Sequence, residues 1–331
     1  MNKSLIAAVS AAIALATLSG CAPADNAAGD SSLVVYAGRE EALVQPLIDK
    51  FSEETGISVE VRYAGSAELA AQLLEEGENS PANVFFAQDA GALGAVSKAG
   101  LLAKLPSEIY GLVPESYSAQ DGSWVGVSGR VRVLVYDPNR VTEIPASVFD
   151  LADSSWEGRI GIAPTNASFQ AFVTAMRVMH GDSATSQWLA AMKQNAVIYE
   201  KNSAILHAVE DGQVDAGLIN HYYWWQELAE KGSMTSKLAQ FQGEDVGNLI
   251  NAAGVGIVND SEAAREFVSF LLGADGQQYF GEQTHEYPLV RGLEPVDALT
   301  PLRDIPAPNF DLNDLDSLKE TLDLIRDAGL I

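Results

Sequence analysis

Short apolar runs rich in β-branched and aromatic residues alternate along this chain with longer segments whose apolar residues recur at helical spacing. Residues 33–36 form the first such run. The segment 41–54 follows it, with Leu47 and Phe51 on one face of a helix. This repeated strand–helix order predicts an α/β fold in which helices flank a parallel or mixed sheet. Ligands of such folds bind in crevices beyond the carboxyl ends of the strands.

The same order recurs in the second half of the chain, after Trp124. The predicted strands are residues 131–136, 159–163, 197–199, 216–219 and 252–258, and the predicted helices are residues 168–179, 183–194, 204–210 and 261–272. The 331-residue chain is long enough for two lobes of ordinary domain size.

The N-terminus has the features of a secretory signal. A short basic start precedes an apolar run over residues 5–18, which is shorter than the roughly 20 residues that a membrane-spanning helix needs. The run ends in Leu-Ser-Gly-Cys, which resembles the bacterial lipobox. We therefore expect a signal peptide over residues 1–20, a lipidated Cys21 and a flexible tether over residues 21–32. The alternative is a plain signal peptide in which this cysteine has no role.

Composition excludes several classes of function. Cys21 is the only cysteine, so an internal disulfide or a thiolate metal cluster is excluded. The net charge of −25 disfavours contact with nucleic acid and with anionic lipid headgroups, although acidity alone does not indicate a cation site. Nucleophile-elbow, phosphate-loop and zinc-helix motifs are absent from the sequence, and the four histidines are scattered. We therefore expect a protein that is not an enzyme.

The segment 218–225 is the most informative part of the chain, because an apolar strand runs directly into four consecutive aromatic residues. Tyr222 and Tyr223 supply two adjacent phenols at this strand end. A phenolate is a hard oxygen donor suited to ferric ion, and tyrosinate is a known iron ligand. The alternative is that these aromatic side chains pack a core, and the local sequence by itself favours that alternative.

Nine segments, spread over the whole chain after residue 32, resemble the ferric-iron-binding proteins of bacterial ABC importers, a branch of the type II periplasmic binding proteins. They are YAGR at 36–39, FSEETGI at 51–57, SPANVF at 80–85, AGLL at 99–102, VSGRVRV at 127–133, WEGRIG at 156–161, KNS at 201–203, LINHYYW at 218–224 and EYPL at 286–289. The resemblance implies a two-lobed α/β fold, each lobe a mixed sheet flanked by helices, with the ligand in the cleft between the lobes.

The resemblance also implies the residues of an iron site. In this family paired tyrosines bind Fe(III), which corresponds to Tyr222 and Tyr223. Glu40 stands where family members often have a histidine ligand, and Gln88 stands where others have a glutamate. Both are therefore candidate ligands. Asp89 is a further candidate, although a carboxylate in the first turn of a helix is an ordinary feature.

A synergistic anion, such as carbonate, phosphate or citrate, accompanies the iron in this family. Its expected site is the start of the helix near residue 168, where free backbone N–H groups favour anions. The resemblance assigns Asn166, Ala167, Ser168, Asn202 and Asn220 to this anion, and Arg39 and Arg130 are expected to add charge-assisted bonds. An ordinary N-cap is the alternative role for Asn166.

Family topology further predicts where the lobes are divided. We expect one lobe to comprise residues 33–129 and 253–300, and the other to comprise residues 130–252 and 301–331, including a C-terminal helix over residues 314–328. The expected mechanism is capture of the metal by hinge closure, followed by delivery to an ABC transporter permease. The protein is expected to be monomeric and to contact the membrane only through its lipid anchor.

Two other functions stay open from the sequence. The same fold also binds organic ligands or oxyanions, and the altered residues at positions 40 and 88 are compatible with such a ligand. A secreted hydrolase is the other alternative, but it requires a nucleophile and base for which the sequence has no motif.

Overall fold

The computed structural model of the protein describes residues 32–296 and 298–331. The predicted signal peptide, Cys21 and all but the last residue of the tether lie outside the described residues. The strands are β1 (Ser32–Ala37), β2 (Ser58–Tyr63), β3 (Val84–Ala87), β4 (Trp124–Tyr136), β5 (Ile160–Ile162), β6 (Ala196–Ile198), β7 (Ala216–Asn220), β8 (Lys237–Ala239), β9 (Ile250–Ile257) and β10 (Tyr287–Pro288). The helices are α1 (Glu41–Thr55), α2 (Ser66–Glu76), α3 (Ala90–Lys98), α4 (Ser107–Tyr110), α5 (Ala167–Asn195), α6 (Asn202–Glu210), α7 (His221–Lys231), α8 (Glu262–Leu272), α9 (Ala274–Glu282) and α10 (Leu318–Asp327).

The strands form two mixed sheets that share one long strand. In the first sheet, β2, β1 and β3 are parallel, β9 runs antiparallel to β3, and the first part of β4 pairs with β9. In the second sheet, β7 and β8 pair antiparallel with the last part of β4, and β7, β5 and β6 are parallel. The expected α/β class with mixed sheets and flanking helices is confirmed.

Strand β4 is longer than the sequence pattern predicts. Its predicted start was residue 131, whereas the structure begins it at Trp124 and places a register shift between Gly126 and Ser128. Residues up to Val131 pair with β9, and residues from Arg132 onward pair with β7. The chain therefore passes from the first sheet to the second within a single strand, and β9 begins beside the same point, because its first residue, Ile250, pairs with Val131.

Two helices depart from the predicted boundaries. The segments 168–179 and 183–194 form one element, α5, divided by a kink at Gly181, whose φ of 82° is not helical. The predicted helix 314–328 begins only at Leu318, because a 3₁₀ turn over Leu312–Asp316 precedes it. This turn packs against α3, while α10 packs against α5. The C-terminal segment therefore contacts helices that flank both sheets.

Two facing glycines allow α6 to approach the second sheet closely. Gly161 of β5 pairs with Gly217 of β7, and both lie beneath Ile205 of α6. A side chain at Gly217 would overlap the Cγ2 methyl group of Ile205. This close contact sets the position of α6 against the sheet, and the first residue of this helix, Asn202, is buried.

Among residues 32–296 and 298–331, none of the helices combines the length and the apolar content that crossing a membrane requires.

We expect Gly217→Ala to lower the free energy of unfolding by about 1–3 kcal/mol, because the added methyl group overpacks the contact with Ile205. Gly281→Ala is the matched control, since its Cβ would meet only Val296 at an ordinary 3.6 Å. Because alanine is also the better helix former, the control should keep or raise stability. Urea unfolding curves measure both variants. Equal stabilities for the two variants would contradict the proposed contact.

Candidate metal centre

The two adjacent tyrosines lie in the first turn of α7, directly after β7 ends. Tyr222 is 1% exposed and Tyr223 is 5% exposed, and their ring centroids are 4.3 Å apart. The hydroxyl group of Tyr223 donates a long hydrogen bond of 3.4 Å to Oε1 of Glu40, which stands at the start of α1 beside the first sheet. The rings thus pack as core residues do, while their hydroxyl groups meet charged side chains. The core-packing alternative therefore holds for the rings, and the role of the hydroxyl groups as iron ligands stays a prediction.

The surroundings keep both phenols neutral in the absence of a cation. Burial raises the pKa of Tyr222, and the carboxylate of Glu286 raises it further, while Arg39 and Arg130 lower it. Burial raises the pKa of Tyr223 well above its ordinary value, and Tyr222 and Glu40 add to the rise. Only a strongly charged cation bound directly to the phenol oxygens can favour ionisation enough to overcome this. The pair can therefore bind a hard metal ion with release of protons.

A buried ion pair holds Arg39 next to the phenols. Its Nη1 and Nη2 atoms donate to Oε1 and Oε2 of Glu286 at 3.0 and 2.5 Å, and both side chains are almost completely buried. Glu286 also accepts hydrogen bonds from Ser128 and Thr284 at 3.1 and 3.0 Å. Although burial opposes its ionisation, the Arg39 guanidinium holds the pKa of Glu286 below its ordinary value. No local sequence pattern predicts this role of Glu286, which lies in the family segment EYPL at 286–289.

Gln88 and Asp89 lie between β3 and α3 and face the second sheet. The side-chain amide of Gln88 donates to Oγ of Ser168 at 3.2 Å, which joins residues flanking the two sheets. Asp89 caps α3, since its Oδ1 accepts a hydrogen bond of 2.9 Å from the backbone of Ala92. Burial raises the pKa of Asp89, and its Oδ2 has no partner in the described part of the chain.

Three of the expected anion residues, at 166–168, form the start of α5, and a fourth, Asn220, contacts it. Asn166 is the N-cap, and its side chain accepts a 3.0 Å hydrogen bond from the backbone of Ser168. The hydroxyl oxygen of Ser168 accepts hydrogen bonds from Gln88 and from Asn220, the latter at 3.0 Å. Ala167 precedes it at the helix start. The Nδ2 atom of Asn202 is buried and has no partner among residues 32–296 and 298–331.

His221 immediately precedes the tyrosines, but both of its ring nitrogens are occupied. Its Nδ1 accepts a 3.2 Å hydrogen bond from the backbone of Val131, and its Nε2 lies 2.9 Å from the carbonyl oxygen of His285, to which it donates. The imidazole is therefore neutral and carries its proton on Nε2. Within the described residues no three histidine, cysteine, aspartate or glutamate side chains converge on a metal-sized site. A metal at this centre would depend on the phenols.

The family model described as bacterial extracellular solute-binding protein matches residues 33–283. The chain belongs to this family. The solute-binding protein is 36% identical over 316 residues to the Fe(3+)-binding periplasmic protein of Serratia marcescens, covering 93% of each chain. It is 34% identical over 309 residues to the major ferric iron-binding protein of Neisseria meningitidis serogroup A, covering 91% of this chain and 93% of that one. The crystal structure of iron-bound HitA from Pseudomonas aeruginosa matches with a TM-score of 0.86 and 36% identity, covering 90% of this chain and 99% of that chain.

The neutral His221 makes the stability of this solute-binding protein depend on pH. Burial lowers the pKa of His221 to about 4, whereas the unfolded chain binds a proton near pH 6.5. As the pH falls, the unfolded state therefore takes up the proton first. The contribution of the neutral imidazole to the free energy of unfolding, about 3 kcal/mol, is lost between about pH 6.5 and 4. We expect His221→Gln, whose amide can keep both hydrogen bonds, to lose less stability than the wild type between pH 7 and 4. Urea unfolding at both pH values measures this difference, and identical pH dependences would contradict the assignment.

Proposed function

We propose that this protein captures ferric ion by tyrosinate coordination in the cleft between its two halves and delivers it to an ABC importer. The observation that carries the proposal is the buried pair of phenols, Tyr222 and Tyr223, whose hydroxyl groups lie among the charged side chains of the centre. The names of the relatives support the same cargo, since those proteins bind Fe(3+).

The two tyrosines supply two anionic oxygen ligands, and each loses its proton on binding. Glu40 is a candidate third ligand from the first lobe, because its carboxylate already accepts a hydrogen bond from the hydroxyl group of Tyr223. Gln88 is the other candidate from that side, through its amide oxygen, since its amide nitrogen is bonded to Ser168. These are hard oxygen donors, which suit a small and highly charged cation.

A synergistic anion completes the coordination of the iron in this proposal. The start of α5 supplies the Ser168 hydroxyl and the backbone N–H of Ala167, because the N–H groups of the next three residues are already bonded to Asn166. The positive end of the helix dipole also favours an anion there. Asn202 supports this placement, because its buried side-chain nitrogen lacks a partner. Arg39 adds positive charge. Each of its Nη atoms donates one hydrogen bond to Glu286, and its buried Nε has no partner in the described residues.

Closure of the cleft accompanies capture. We place the lobe boundaries at residues 129/130 and 252/253, within β4 and β9, so that bending of these two strands moves the lobes. The contacts of Gln88 with Ser168 and of Glu40 with Tyr223 then belong to the closed form. The permease recognises that form, and no covalent bond of the cargo is made or broken. The protein acts as a monomer and is not an enzyme.

The most direct functional test is a visible absorption titration with ferric citrate. Wild-type protein should develop a tyrosinate-to-iron charge-transfer band. In Tyr222→Phe and Tyr223→Phe the band should fade, since only one phenolate remains, and each variant should bind ferric ion at least about 100-fold more weakly. Loss of an outer-shell partner alone costs 10–100-fold in metal affinity, and loss of a ligand costs no less. Glu40→Gln should weaken binding while keeping the band.

Tyr287→Phe is the matched control for the spectral test. Tyr287 is a buried tyrosine whose ring lies 4.9 Å from that of His221, but its hydroxyl group donates to the carbonyl oxygen of Thr300. It should keep the wild-type band. Absence of any band from the wild type at all ferric loadings would exclude iron capture and leave an organic ligand or oxyanion as the cargo of this fold.

We also propose that Cys21 carries the lipid that holds the protein on the outer face of the membrane. A bacterial host that expresses Cys21→Ser should release the protein from the membrane fraction, because the lipid supplies the only proposed anchor. Membrane fractionation and labelling with a radioactive fatty acid measure the change. Equal labelling of the wild type and the variant would contradict lipidation at this residue.

A further inference from the structure

The last part of the chain contacts helices of both halves of the protein. The 3₁₀ turn Leu312–Asp316 packs against α3, and the following helix, α10, packs against α5. Helix α3 follows β3 of the first sheet, whereas α5 follows β5 of the second. We call residues 311–316 the strap. Because Asp89 and Asn166 of the candidate metal centre cap α3 and α5, the strap and α10 connect two helices that both begin at that centre.

Two glycines of α3 let the strap approach the backbone of this helix. Gly91 and Gly94 are three residues apart and therefore share a face of the helix. A Cβ atom on Gly91 would lie 2.9 Å from the carbonyl oxygen of Leu315, and one on Gly94 would lie 3.2 Å from Cβ of Asp316. Packed helices normally interlock through ridges of side chains. Since α3 has no side chain at these two positions, the strap lies on a smooth surface.

Within the described residues, four hydrogen bonds that involve side chains also join the strap to the half that contains the first sheet, and three of them are exposed to water. They are Lys98 to Asp316 at 2.9 Å, Gln120 to Asp311 at 2.9 Å, the backbone of Gln120 to Asn313 at 3.1 Å, and Asn313 to the carbonyl oxygen of Ser118 at 3.2 Å. Exposed polar contacts contribute little stability each. Leu312 and Leu315 are buried and stay covered during a short shift along the smooth face, so such a shift costs little.

Helix α10 is held more firmly on α5. The hydroxyl groups of Thr174 and Thr321 lie 2.7 Å apart, and both side chains are buried. Nη1 of Arg177 donates to Oγ1 of Thr321 at 3.0 Å and to the carbonyl oxygen of Ser317 at 3.1 Å. Breaking buried hydrogen bonds is costly, because their groups are left without water as a partner. We therefore expect α10 to move together with α5 when the two halves move.

We propose that the strap is the sliding contact of cleft closure. It stays fixed to α10 and α5, and it shifts along the glycine face of α3 as the cleft opens. Small sliding movements of packed elements are a common component of domain closure. The inference rests on the proposed function, in which bending of β4 and β9 moves the lobes. In the closed form Lys98 meets Asp316, and release of the cargo requires the strap to slide away from this position.

A disulfide across the sliding contact tests this directly. Gly94→Cys and Asp316→Cys are combined in a Cys21→Ser chain, so that the new pair is the only source of a disulfide. The Cβ separation of 3.2 Å is close to the range of about 3.5–4.5 Å that disulfides have. Gly94→Ser with Asp316→Ser is the matched variant without the bond. The disulfide should give metal-free protein a smaller radius of gyration in X-ray solution scattering.

The same disulfide should slow the transfer of ferric ion to an excess of EDTA by at least about 10-fold, because release scales with the fraction of open molecules. The control disulfide joins Thr174→Cys to Thr321→Cys, between two helices that move together, and is compared with Thr174→Ser and Thr321→Ser. It should leave the radius of gyration and the transfer rate unchanged. Mass spectrometry verifies both disulfides. An unchanged radius and rate in the disulfide-bonded strap variant would overturn the proposal, and so would equal effects of the two disulfides.

A second test does not depend on disulfide formation. Lys98→Ala removes the contact with Asp316 across the sliding surface and should speed ferric transfer about twofold, which is the effect of one exposed ion pair. Lys319→Ala is the control, because Lys319 pairs with Asp323 inside α10 and should leave the rate unchanged. Equal rates for the two variants would contradict a contact that belongs to the closed form.

The scattering measurement uses no iron and therefore separates the two proposals. A wild-type protein that binds no ferric ion would exclude iron capture, whereas the radius of gyration of the disulfide-bonded variant would still decide whether the strap slides.

Discussion

Buried hydrogen-bond donors outnumber the acceptors available to them at the centre of this protein. Among the arginine and asparagine side chains of the described residues, seven buried nitrogen atoms have no partner, and they belong to Arg39, Arg130, Arg132, Asn202 and Asn251. The unpaired side-chain oxygens near them are Oδ2 of Asp89 and Oε1 of Gln170. Two phenols lie at the same centre in their neutral forms. This imbalance is costly in the folded protein, and a ligand that brings negatively charged oxygen relieves it. A ferric ion that ionises the two phenols and arrives with anions has the required charges.

The fold brings this centre together from distant parts of the chain. Strand β4 passes from one sheet to the other, and β9 begins beside the crossing, so that side chains of the two strands meet the helices of both halves. Helix α7 begins where β7 ends, and this places Tyr222 and Tyr223 at the carboxyl end of a strand, as expected for α/β folds. The facing glycines of β5 and β7 allow α6 to pack closely on the second sheet through Ile205. In the proposed mechanism the crossing strands are also the place of bending, so that the proposed ligand contacts and the proposed closure involve the same elements.

Local sequence patterns predicted the fold class and the position of the two phenols. The alternation of strand and helix periods predicted the α/β class, and the strand that runs into four aromatic residues indicated where the phenols lie. The pairing of Arg39 with Glu286 was not predictable, because 247 residues separate the two partners and neither has a distinctive neighbour pattern. The first part of β4 was missed because Gly126, Ser128 and Gly129 interrupt the period of an apolar strand. Asn251 opposite Arg130 likewise follows only from the strand register. The ligand roles of Glu40 and Gln88 stay predictions.

The central claim is that iron binds to both phenol oxygens, and anomalous diffraction at the iron absorption edge tests it most directly. Crystals of ferric-loaded protein should give one strong anomalous peak within coordination distance of Oη of Tyr222 and Oη of Tyr223. Additional density for an anion should lie against the start of α5. A peak located only at carboxylates of the acidic surface, or no peak in crystals of fully loaded protein, would contradict the account.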